Sequence, residues 1–277
     1  MRLRPDMGGR TSDSRPRARM SSWRFRRDFA DVQSFVLFVG CPRSGHSLLA
    51  SMLDAHSDAV IAHELDALPY VAAGWTRGEL YARILLHDRE FTAAGRKWYG
   101  YDYVVPGQWQ GRFRQLRVIG DKRGAVTTER IEEDPSLLHR LEEVVGVPVR
   151  FVHVTRNPFD NVVTMSRRGG KTLDQASDRY LALCATVASL HAERSGDIMD
   201  LRHEDLLADV PGRLAAVCRW LGLEPDDAYL SACASVAFDS PRRTRNELPW
   251  SADQRARILA AVDQHDFLSS YALEDAP

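Results

Sequence analysis

One segment constrains the fold of this 277-residue chain more than any other. Ser34-Phe-Val-Leu-Phe-Val39 is a short, unbroken apolar run. That is the pattern of a strand buried on both faces of a parallel sheet. It leads directly into Gly40-Cys-Pro-Arg-Ser-Gly45-His46-Ser47. Behind this loop Leu48, Leu49, Met52 and Leu53 share one face of a helix. A strand, a Gly-x-x-x-x-Gly turn and a helix start aim backbone N–H groups and a helix N-terminus at an anion.

The remaining pattern repeats the alternation. Strands are predicted at Ala59–Ala62, Val118–Asp121, Val149–Val154 and Ile198–Leu201. Helices are predicted near 77–87, 134–145, 158–167, 173–194, 209–222 and 253–264, with Pro158 in a first turn and Gly222 as a stop. This is an α/β fold of three layers, a mainly parallel central sheet flanked by helices. We assign residues 31–277 to one domain, with the aromatic-rich 65–115 segment as the cover over an acceptor site.

Residues 1–30 read as a basic, disordered extension, rich in Arg, Ser, Gly and Pro. Residues 1–27 hold nine arginines and two acids, a charge of +7, so a whole-chain charge of −1 leaves −8 for the rest. A net acidic body argues against nucleic acid as the partner. The longest apolar runs are too short to span a bilayer, and the N-terminus lacks the apolar core of a secretory signal. Four cysteines without a C-x-x-C pair point to reduced thiols and a cytoplasmic protein. Nine histidines show no metal-ligand spacing, so no metal is expected.

The loop departs from the nucleotide-triphosphatase form, where Gly-Lys-[Ser/Thr] supplies a lysine for the terminal phosphates and a hydroxyl for Mg²⁺. Here His46 stands in place of the lysine and the cation is earlier, at Arg43. The chain thus resembles the sulfotransferases that use 3′-phosphoadenosine 5′-phosphosulfate (PAPS). Pro42-Arg43-Ser44-Gly45-His46-Ser47-Leu48 is similar to that family's 5′-phosphosulfate loop. Arg156-Asn-Pro-Phe-Asp160…Thr164 resembles its 3′-phosphate segment, with Arg156 and a hydroxyl from Thr164 or Ser166 as ligands. Leu201-Arg-His-Glu-Asp-Leu206 matches a later motif, where His203 replaces a tyrosine near the adenine. Arg242, Arg243 and Arg245 stand where many members carry an Arg-Lys-Gly clamp.

The resemblance implies a P-loop NTPase-like sulfotransferase fold and a metal-independent enzyme. It moves a sulfuryl group from PAPS to a hydroxyl, less readily an amine, of a small molecule or glycan. The acceptor must lose a proton. Glu64 and His63, directly after the second strand, are the two candidate bases. Lys122, at the end of the third, is placed to meet charge on the transferring group, with His46 or Arg43 sharing that role. The rival readings are a metal-dependent kinase or nucleotide hydrolase and a nucleotide-binding protein without catalysis. A homodimer remains open.

Overall fold

The computed structural model describes residues 14–271. Its strands are β1 (Ser34–Val39), β2 (Ala59–His63), β3 (Lys97–Trp98), β4 (Tyr101–Asp102), β5 (Val118–Lys122), β6 (Val149–Thr155) and β7 (Ile198–Arg202). Five form one wholly parallel sheet in the order β2-β5-β1-β6-β7, and β3 and β4 make a small antiparallel ribbon. The helices are α1 (Arg15–Arg24), α2 (His46–Asp54), α3 (Leu68–Ala72), α4 (Arg77–Ala93), α5 (Ala125–Glu133) and α6 (Ser136–Val145). The second half adds α7 (Pro158–Gly169), α8 (Leu173–Arg194), α9 (His203–Ala208), α10 (Val210–Trp220), α11 (Asp227–Ala234) and α12 (Ala252–Gln264). No helix among the described residues is long and apolar enough to cross a membrane.

The unbroken apolar strands are explained by burial on both faces. Phe35 and Leu37 of β1, with Val60, Ile119 and Phe151, pack on residues of α1, α3, α4 and α6. Val36 and Phe38, with Ile61, Val118 and Val152, pack on α2, α10 and α11. A third cluster joins α7, α8 and α12 through Phe159, Tyr180, Leu183, Trp250 and Ile258. β1 is central, and its parallel neighbours end beside it. Consequently Gly40–Ser47, Glu64, Lys122, Arg156 and His203 all emerge at one edge of the sheet. Ligands of open α/β sheets bind at this carboxyl edge.

Two sequence expectations differ from the structure, and a helix, α5, escapes the sequence reading. α4 runs to Ala93 because its buried face continues through Asp88 and Phe91. Arg96 there bridges Asp54 and Asp88 at 2.7 and 2.8 Å, so the acidic positions are paired inside rather than exposed. α5 is short and mostly polar, and its pattern is too weak to read as a helix. The expected disordered extension contains α1, which packs along α4; residues 1–13 lie outside the described residues. The physical reason is Glu79. It caps α4 in a box with Thr76 and also receives Arg15 at 3.1 Å and Arg19 at 2.7 Å. Arginine periodicity there reports ion pairing, not a solvated tail.

Burial alone would raise the Glu79 carboxyl. Bonds from Arg15, the Thr76 N–H and Arg19 overcome that and bring it to about 2 from an ordinary 4.5. A depressed carboxyl stabilises the fold above its ordinary value, and that contribution is lost as pH falls from about 4.5 toward 2. Glu79→Gln should therefore cost about 1–3 kcal/mol at neutral pH and flatten the acid limb of the stability curve. It should also speed tryptic cleavage within Arg15–Arg27. A melting curve and digestion rate equal to wild type would show that Glu79 does not hold α1.

Candidate active site

The loop after β1 reverses the chain within a few residues. Gly40, Arg43 and Gly45 all have positive φ, at 108°, 73° and 103°. A Cβ at Gly45 would lie 2.4 Å from His203 Nδ1, so close packing of the His203 ring requires glycine there. α2 begins at once behind Gly45 with no side-chain cap, which leaves its first N–H groups for an outside acceptor. The loop is pinned from beneath. Ser44 Oγ donates to Cys41 O at 2.9 Å and accepts from Asn161 Nδ2 at 2.6 Å, and Gly40 N–H donates to Thr128 Oγ1 at 2.8 Å. The Ser44 side chain is thus turned inward, and Ser44 is buried and does not line the cleft.

His46 shows the same economy. Its Nε2–H donates to the Val39 carbonyl at 2.9 Å, and burial first, then the His153 and Lys122 charges, lower its pKa to about 3. It lines the cleft as a neutral ring that ties helix start to strand end. It is not a proton donor near neutral pH.

One end of the cleft holds a compact charge cluster. Lys122 is 1% exposed. Its ammonium donates to Ser47 Oγ at 2.9 Å and to Glu64 Oε1 at 2.5 Å. Arg123 meets Glu64 Oε2 at 2.6 Å. Burial would raise the Glu64 carboxyl, but Lys122 and then Arg123 outweigh it and hold it below its ordinary value. Burial likewise lowers Lys122, opposed by Glu64. Glu64 itself sits at φ 64°, and Asp121 secures the turn by accepting the Leu65 and Ala67 N–H groups at 3.0 and 2.8 Å. Burial pushes the Asp121 carboxyl up to about 7 against those two bonds.

His63 does not join this cluster. Its ring stacks on Phe91 at 4.4 Å and meets Trp98 and Tyr103, so it is buried behind the aromatic ribbon rather than in the cleft. The turn at Glu64 sends two neighbouring side chains to opposite sides. Burial and the Lys122 charge keep the His63 ring neutral, far below its ordinary pKa.

The other end is built on Arg156. Its guanidinium donates to Arg43 O at 3.3 Å, to Thr164 Oγ1 at 3.4 Å and to Arg242 O. Its Nε has no partner and is out of contact with solvent. Thr164 lines the cleft, whereas Ser166 Oγ donates to Lys171 O at 2.7 Å and faces away. Asp160 does not pair with Arg156. It receives Arg245 at 2.8 Å and the Thr244 and Arg245 N–H groups at 2.6 and 2.7 Å. Of the three C-terminal arginines, Arg242 reaches the cleft, Arg245 is spent on Asp160, and Arg243 is exposed outside it.

The cleft measures about 640 Å³ and collects Arg43, Lys122, Arg123, Arg156, Arg167, Arg168 and Arg242 against two carboxylates, Glu64 and Glu247. His203 and Leu48 also line it. Arg123, Arg167 and Arg168 escaped the sequence reading. The last two stand three and four residues after Thr164, hence on its helical face. Trp98, Tyr99, Tyr101, Tyr103 and Phe238 give the same cleft an aromatic lining, and Arg43 stacks over the Tyr99 ring at 4.5 Å. Such a site suits a polyanion together with an apolar or ring-bearing molecule.

Comparison with known proteins agrees. The family model described as "Sulfotransferase family" matches residues 36–227. A search of the curated proteins finds no match. Among solved structures, the sulfotransferase domain from the Synechococcus PCC 7002 olefin synthase is similar, with a TM-score of 0.57, 17% identity, and 88% of this chain and 96% of that one covered. The sulfotransferase domain from the curacin biosynthetic pathway gives 0.53 and 15%, covering 87% and 99%. Sulfotransferase STF9 from Mycobacterium avium gives 0.51 and 10%, covering 95% and 86%. At these identities the likeness shows a shared fold.

Asp160→Asn should remove the charge that Arg245 pairs with on α7 and weaken the bonds from the Thr244 and Arg245 N–H groups, at a cost of about 1–3 kcal/mol. Denaturant unfolding reads the loss, and proteolysis within 239–249 of the native protein should speed up. Wild-type values on both would remove Asp160 as the holder of this loop.

Proposed function

The chain belongs to the sulfotransferase family, and from that premise we propose that it transfers a sulfuryl group from PAPS to a hydroxyl of a small-molecule or glycan acceptor. The observation that carries this reading is the gathering of seven cationic side chains and the uncapped start of α2 in one cleft. The protein around them is acidic overall.

The residues fit a donor with two anionic ends. Arg156, with its unpartnered buried Nε, and Thr164 would hold a 3′-phosphate. The Arg43–Ser47 loop and the α2 N-terminus would hold the 5′-phosphosulfate. His203, which lines the cleft with an unpartnered Nδ1, would meet the nucleoside. Arg242 and its neighbours Arg167 and Arg168 would add charge at the rim. When bound, the donor supplies an activated sulfuryl group on a phosphate leaving group.

The chain's part in the reaction follows from Lys122 and Glu64. Glu64 accepts the proton of an acceptor hydroxyl placed against the aromatic wall. Lys122 meets charge at the transferring group from the same point. A bound anion competes with Glu64 for the Lys122 ammonium. As that pairing loosens, burial gains weight and Glu64 becomes a stronger base when the donor is in place. His63 lies behind the ribbon and is not part of this proposal.

The kinase or hydrolase alternative finds no favouring observation. The acid that ends a hydrophobic strand, Asp121, is bonded to backbone N–H groups of the turn after β2 and does not line the cleft.

Transfer of labelled sulfate from PAPS to a panel of phenols, alcohols and sugars tests the proposal. Glu64→Gln should lower kcat by about 10²–10⁴-fold with little change in donor affinity. Arg156→Ala should weaken donor affinity instead, by roughly tenfold or more. Full turnover in the Glu64 variant, or unchanged donor affinity in the Arg156 variant, would overturn the respective assignment.

A further inference from the structure

A second cluster of chemistry-bearing side chains lies outside the cleft. His153 of β6 and Asp200 of β7 stand directly opposite in the sheet register, and His191 reaches them from the last turns of α8. His153 Nδ1 is 2.7 Å and His191 Nε2 is 3.1 Å from the same Asp200 oxygen, and three donor atoms lie within 4.8 Å of one another. We propose that His153, His191 and Asp200 form a binding site for a divalent transition-metal ion of the zinc class.

The donor set selects the ion. Two imidazole nitrogens and one carboxylate oxygen suit Zn²⁺, Co²⁺ or Ni²⁺, whereas Mg²⁺ and Ca²⁺ prefer oxygen shells. Bonds of about 2.1 Å in a tetrahedral shell set ligand atoms about 3.4 Å apart, so the two nitrogen–oxygen separations need to open by less than about 1 Å, and the nitrogen–nitrogen one, within 4.8 Å, needs to close by about 1.4 Å at most. Without an ion His153 Nδ1–H and His191 Nε2–H donate to Asp200; an ion would replace those protons, and each neutral ring would then carry its single proton on the other nitrogen. Asp200 and His191 are partly exposed, which gives an ion an entry path and leaves room for water as a fourth ligand. His153 is 3% exposed and forms the floor. The rings are already oriented: Phe267 meets His153 edge-on at 4.9 Å and stacks on His191 at 5.6 Å. An oriented ligand set loses less freedom on binding.

The site also touches the catalytic architecture. A Cβ at Gly40 would lie 2.4 Å from His153 Cδ2 and 2.8 Å from Nε2, so the ring packs against the first residue of the anion loop. A metal on His153 would fix the ring under that loop. Sequence spacing hides this trio. Asp200 lies 47 residues from His153 and 9 from His191, on three different elements, which is why the sequence reading expected no metal.

The test uses tag-free full-length protein, titrated with Zn²⁺ by calorimetry and with Co²⁺ by visible absorption. One equivalent should bind, with the bands of nitrogen- and oxygen-ligated Co²⁺, and Zn²⁺ should raise Tm. His191→Ala and Asp200→Asn should each weaken binding by about tenfold or more and abolish the Tm rise. Should the histidine variant fail to fold by circular dichroism, the near-isosteric Asp200→Asn carries the test alone. Absence of stoichiometric binding, or wild-type affinity in the folded variants, would overturn the proposal.

Discussion

An ammonium removed from water is costly unless it is bonded on all sides, and this fold places one at the carboxyl edge of its sheet. Lys122 ends β5 in register with His63 of β2, and its carbonyl accepts the Glu64 N–H at 2.9 Å. Its side chain then joins Ser47 at the start of α2 to Glu64 after β2. One residue thus ties two strand ends and the loop after β1 together. The ion pair is weak evidence for stability, since a buried pair rarely repays its desolvation. Its value lies in position, because the charge faces the space where an anion would compete for it.

The same logic extends across the cleft. A chain of net charge −1 gathers cations at one mouth, and the two deepest, Lys122 and Arg156, are held by the fold rather than by solvent. Arg156 is anchored on loop carbonyls, and Asp160 folds the 240–245 segment onto α7 so that the Arg242 carbonyl reaches it. Binding free energy is better used when such groups are set before the ligand arrives.

Much of this was legible because it is local. The strand, loop and helix at 34–54 lie in one stretch, and Arg156-Asn-Pro announces a strand end and a helix start within three residues. The central strands were readable because burial on both faces leaves an unbroken apolar run. What could not be read depends on distant packing. Nothing in Ala62-His63-Glu64 says which side chain turns into the cleft; the positive φ at Glu64 and the ring of Phe91 decide it. Arg245 looked equivalent to Arg242 until Asp160, 85 residues away, claimed it. The Arg-rich start looked solvated because Glu79 is distant in sequence, yet α1 packs on α4.

The proposed function requires this cleft to take a nucleotide with separate 3′ and 5′ anionic groups, held by the chain's own cations. Calorimetric titration with adenosine 3′,5′-bisphosphate, set against ATP and each with and without Mg²⁺, tests it most directly. Tight binding of the bisphosphate that is indifferent to Mg²⁺, and much weaker binding of ATP, are expected. Preference for ATP together with Mg²⁺ would contradict it.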